Sequence, residues 1–141
     1  MAKPAPFPHH YTVTLEDRRL TGPRRAPIAA GAPPQFGGSD EVWSPEDLLV
    51  GAALECLWTT FEAYARREQL EVASWRGTGT GILDRSPTGP VFTSITLAVE
   101  MTVAAADIER AGRILATAEK NCIISNALRV AVTVEPDIRS S

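Results

Sequence analysis

Cys56 and Cys122 are the residues of this chain best able to do covalent chemistry, and they stand 66 positions apart. A thiolate can attack a weak O–O or S–S bond, and a second thiol can condense with the product to a disulfide. The bland alternative is two small hydrophobes that never meet, since a free cysteine in an apolar setting packs as one. Cys56 sits inside such a setting, in LLVGAALECLWTTFEAYARR. Cys122 differs: it follows the helix stop Lys120-Asn121 and opens a new turn, where free N–H groups favour thiolate over thiol. Neither position decides between the two readings by itself. No C-x-x-C or Cys/His cluster offers zinc a tetrahedral donor set, so no metal site is expected, and thiol–disulfide chemistry itself needs no bound cofactor.

The sulfurs need elements to hold them. A chain of 141 residues, 44% hydrophobic, is expected to form a single domain over 1–141. HYTVTL (10–15) reads as a first strand and EDRRLTG (16–22) as the polar turn ending it. Four prolines between Pro23 and Gly38 forbid a helix and permit at most a short edge strand, so 1–38 is a strand followed by an extended arm. Ser44-Pro45-Glu46-Asp47 combines a cap, a proline suited to the first helical position and two acids at the positive end of the dipole. A helix over 44–67 follows, apolar on nearly every face as far as Thr59 and so expected to be buried for most of its length.

Strands and a second helix fill 72–136. VASWRGTGTGIL (72–83) carries three glycines on one side, the mark of a strand against which something packs closely. Gly89-Pro90 turns the chain into a period-two stripe from Val91 to Val103. Asp107 starts a helix whose Ile108, Ala111, Ile114, Leu115 and Ala118 share a face, and its end delivers Cys122. VAVTVE (130–135) is the last strand before a frayed tail, and the order of elements is that of an α+β fold. A formal charge of -3 with scattered Lys and Arg argues against nucleic acid as a partner. With no signal-like start and no long apolar run, a cytoplasmic protein that meets no membrane is expected.

The string FGGSDEVWSPEDLLVGAALEC, with CIISNAL far downstream, resembles the OsmC/Ohr family: a Pro-Glu-x-Leu helix start, a cysteine ten residues past that Glu, and a distant second cysteine before a short helix. The likeness continues through TTFEAYAR, GTGTGILDR and AEKNCIISNALRVAVTVE, covering roughly 35–136. It implies an OsmC-like fold, with antiparallel sheets packed around a long buried central helix in an intertwined homodimer. It further implies an enzyme, a cysteine-based reductase of organic hydroperoxides, with Cys56 as peroxidatic cysteine, Cys122 as its disulfide partner and Glu46 as site carboxylate. A lipoylated protein or small thiol would be the dithiol reductant, and an apolar pocket beside Cys56 would draw on Leu57, Trp58 and Phe61.

Ten residues of helix separate Glu46 from Cys56 by roughly 15 Å, too far to touch within one chain. Glu46, Leu49, Ala53, Cys56 and Thr60 nevertheless share a helical face. A second copy packed antiparallel on it, about a two-fold near Leu49 and Ala53, would bring one chain's Glu46 to the other's Cys56. Two features depart from the family pattern. Where some relatives have Arg-Phe this chain has Gln35-Phe36, so the cation that holds the thiolate would have to come from Arg18, Arg19, Arg24 or Arg25. Glu55, next to Cys56, should oppose thiolate formation unless it points away or is paired. The competing readings are a non-catalytic module of the same fold, binding a hydrophobic small molecule in the dimer groove, and a purely structural dimer.

Overall fold

The computed structural model describes residues 3–141. The chain forms two compact units, one ending at Asp47 and one from Leu48 to Ser141. In the first, β1 (Thr14–Glu16), β2 (Arg19–Thr21) and β3 (Ile28–Ala29) make a small antiparallel sheet in that order. Asp17 and Arg18 between β1 and β2 have φ of 49° and 60°, the two-residue turn whose twist suits a hairpin. The polar segment expected to be only a turn therefore contains a strand; charged side chains are tolerated there because this sheet is thin and exposed. β3 is the short strand that the prolines permit.

Helix α1 runs from Pro45 to Arg67, where its sequence signals place it. Ser44 Oγ accepts from the Asp47 N–H at 3.0 Å while Asp47 Oδ2 accepts from the Ser44 N–H at 3.1 Å, a reciprocal cap on donors that would otherwise have no partner. Burial follows one stripe along the helix, through Ala53, Leu57, Phe61 and Ala65, while Glu55, Thr59 and Ala63 on other faces are exposed. A sheet on one side covers one stripe of a helix.

That sheet consists of β4 (Val72–Ser86), β5 (Gly89–Val103) and β6 (Val132–Ser140), with β5 in the centre. Ile95, Leu97, Val99, Met101 and Val103 of β5 are at most 1% exposed, the alternating stripe read from the sequence. Their register partners on β4 include Gly81, Gly79 and Gly77. The glycines admit α1: a Cβ on Gly79 would stand 2.7 Å from Val50 Cγ1, and one on Gly77 would stand 2.6 Å from Leu54 Cδ1. β4 pairs with β5 antiparallel, but β6 pairs with β5 parallel, which corrects the expectation of wholly antiparallel sheets. Parallel neighbours need a long crossover, here supplied by α2 (Ile108–Lys120) and α3 (Ile123–Ala127).

Ala111, Ile114, Leu115 and Ala118 form the buried face of α2, while the Asp107 side chain pairs with Arg110 at 3.0 Å rather than capping. The segment expected to fray continues β6 to Ser140, through Pro136, since an edge strand can spare one donor. No helix of the described residues is long and apolar enough to cross a membrane.

Candidate active site

Helix α1 carries Cys56 on the flank that meets the start of α3, and Cys122 is the N-cap residue of α3. The fold thereby brings the two free thiols near enough for each to shift the other's ionisation. Cys122 is 1% exposed and Cys56 half-buried, so only the latter meets solvent. Burial pushes the Cys56 thiol up, but more than compensating donors hold it below its ordinary value: the Ile124 N–H, the Cys122 thiol, the Thr60 hydroxyl and the Ile123 N–H. Ile123 and Ile124 open α3, where N–H groups have no intrahelical acceptor, so the Cys56 sulfur receives donors the helix cannot use.

Cys122 is shifted the opposite way. Burial raises its thiol, the Ser125 hydroxyl and N–H lower it, and the neighbouring Cys56 raises it again. Its sulfur lies 4.0 Å from the Ala53 carbonyl oxygen, and Ser125 Oγ donates to Cys122 Sγ at 3.3 Å. The free N–H groups of this helix start are thus divided: those of Ile123 and Ile124 act on Cys56, and that of Ser125 on Cys122. The pair is asymmetric: an accessible sulfur biased to thiolate beside a buried one biased to thiol.

The other candidates separate. Leu57 (1% exposed) and Phe61 (0%) are core residues packed under α1, which corrects their assignment to a pocket. Trp58 lines an open cleft of about 530 Å³ with Gly51, Leu54, Glu55, Val72, Ala73, Ser74 and Trp75. Cys56 is not among its walls, since Trp58 is about 200° round the helix from it. Glu55 is exposed on that cleft and is not among the groups that set the Cys56 thiol. One carboxylate oxygen of Glu46, in the first turn of α1, is buried without a hydrogen-bond partner among the described residues.

Ala53 is 0% exposed and so covered within the chain, whereas Glu46, Leu49, Cys56 and Thr60 on the same face of α1 stay partly exposed. Arg18 and Arg19 belong to the exposed β1–β2 hairpin, Arg24 and Arg25 to the turn before β3, where Arg25 donates to the Pro23 carbonyl. Among the described residues no group of three or more His, Cys, Asp or Glu is arranged to hold a metal. Thr60 and Ser125 escaped recognition as site residues. The available signal was spacing, a hydroxyl four residues after one cysteine and three after the other, each one helical turn away.

The solved structures most like this fold include an OsmC-like protein of Vibrio cholerae, at a TM-score of 0.77 and 20% identity over 93% of this chain and 99% of that one. An organic hydroperoxide resistance protein, OsmC, of Legionella pneumophila has a TM-score of 0.70 and 19% identity over 98% and 99%. One from Elizabethkingia anophelis has 0.72 and 17% over 97% and 99%. At such identities the likeness speaks for the fold alone. No curated protein matches the chain. The sequence model of the OsmC-like protein family matches residues 38–137, which include α1, both cysteines and α3, and on that match the chain belongs to the OsmC family.

Proposed function

We propose that the protein is a thiol-dependent peroxidase that reduces organic hydroperoxides. The observation that carries the reading is the asymmetric sulfur pair: Cys56 accessible and biased to thiolate, Cys122 buried against it and biased to thiol. The Cys56 thiolate attacks the distal peroxide oxygen, the O–O bond breaks, and the departing alkoxide takes a proton to leave as alcohol. The sulfenic acid on Cys56 then condenses with Cys122, forming the disulfide and releasing water. A dithiol, on a lipoylated protein or a small thiol, returns two electrons and is itself oxidised to a disulfide. This chemistry needs no metal or bound cofactor, and a reducing cytoplasm suits its resting dithiol state. Structural relatives named organic hydroperoxide resistance proteins point to the same substrate class.

One equivalent of cumene hydroperoxide added to the reduced protein should consume both thiols and give one intramolecular disulfide, read by thiol titration and intact mass. Unreacted thiols would leave the second reading in place, a binder of hydrophobic small molecules, which the largely apolar cleft lined by the packed Trp58 and Trp75 favours.

The working form proposed is a homodimer in which Glu46 supplies a carboxylate to the partner's sulfur site. Val13, Leu15, Phe36 and Trp43 are each more than half exposed in the first unit, and the unpartnered Glu46 oxygen needs a donor. Sedimentation at micromolar concentration is expected to give dimers, and monomers alone would remove the composite site.

A further inference from the structure

We propose that Ser125 is a positioning residue for Cys122 and governs how fast the disulfide closes behind an oxidised Cys56; the proposal rests on the peroxidase reading above. Ser125 lies in α3, one turn after the N-cap Cys122, and its hydroxyl donates to the Cys122 sulfur at 3.3 Å. Besides this hydroxyl, Cys122 has the Ser125 N–H as a donor. It is 1% exposed, the Ala53 carbonyl oxygen 4.0 Å away opposes a negative sulfur, and the N–H groups of Ile123 and Ile124 act on Cys56. Charge develops on Cys122 when it loses its proton to attack the Cys56 sulfenic sulfur, expelling hydroxide as water. It develops again when a reductant thiolate attacks the accessible Cys56 sulfur and Cys122 leaves. In both steps the hydroxyl of Ser125 is a donor already aimed at the sulfur where that charge appears.

Burial holds the Cys122 thiol above its ordinary value, and the Ser125 hydroxyl is the largest influence opposing burial. The hydroxyl also holds the sulfur at the start of α3, facing α1, so that ring closure begins from the reacting geometry.

The test is single turnover with cumene hydroperoxide in the presence of dimedone, which traps sulfenic acid in competition with Cys122. Ser125→Ala should raise the ratio of dimedone adduct to disulfide by about tenfold, the loss expected for one hydrogen bond to a developing charge. The pH at which disulfide closure reaches half its maximal rate should move upward, because the lost donor had favoured thiolate. Ser125→Thr should restore both readouts, and its near isostere Ser125→Val should not, which separates the hydroxyl from helix packing should the alanine variant fold poorly. Closure by the parent protein with unchanged ratio and pH profile in Ser125→Val overturns the role of Ser125. A parent protein that never forms the disulfide overturns the peroxidase reading itself.

Discussion

Cys56→Ser is expected to lower the second-order rate of reaction with cumene hydroperoxide by more than about a thousandfold, since an alcohol oxygen at neutral pH is a far weaker nucleophile than a thiolate. The substitution is nearly isosteric and the site half-buried, so folding should survive and the loss should be read as chemistry. The pH dependence of the parent protein follows from the same groups. The reacting form is the thiolate, so the rate rises with pH and levels off once Cys56 has ionised. Because donors from α3, Cys122 and Thr60 outweigh the effect of burial, the midpoint of that rise should fall below the value of about 8.5 of a free cysteine. Stopped-flow thiol oxidation between pH 5 and 9 measures it. A midpoint at or above that of free cysteine would mean the helix-start donors do not act on the sulfur, and the asymmetry on which the function rests would be lost.

The sequence announced the elements better than it announced their company. The cap at Ser44, the period-two stripe on β5 and the three β4 glycines are local signals, and each led to the structure observed, down to Val50 and Leu54 filling the space the glycines leave. The parallel pairing of β6 was not legible, because alternation of side chains is the same in either direction and only the α2–α3 crossover sets it. The site was legible in its sulfurs and not in what holds them. A cation was sought for Cys56 among Arg18, Arg19, Arg24 and Arg25, whereas the groups that lower its thiol within the second unit are two backbone N–H groups, a hydroxyl and the other thiol. Backbone donors belong to every residue type and leave no trace in composition. Likewise Ala53 could be placed on a face of α1, but its full burial within the chain could not be read, since helical phase gives direction and not occupant.

Phe61 decides between a core and a pocket, and Phe61→Ala should cost about 3–5 kcal/mol of folding stability with little effect on the chemistry. The side chain is 0% exposed, sits in the buried stripe of α1 between Leu57 and Ala65, and belongs to the cluster that includes Ile95, Leu97 and Val99 on β5. Trp58 approaches it as a tilted ring with centroids 6.2 Å apart. Deleting the ring removes apolar contacts from both layers at once, and neither can collapse into the space, since α1 is already held against β4 at the glycines. Domains of this size hold about 5–15 kcal/mol, so the variant should fold but with much of its margin gone. In urea the midpoint should fall at an unchanged slope, the signature of lost stability without a change in the surface exposed. Cys56 and the start of α3 lie on another flank of the helix, so the concentration dependence of peroxide turnover should stay close to that of the parent protein. The opposite pattern, an unmoved urea midpoint with a weakened grip on aromatic hydroperoxides, would return Phe61 to the substrate pocket and the core to a smaller set of residues.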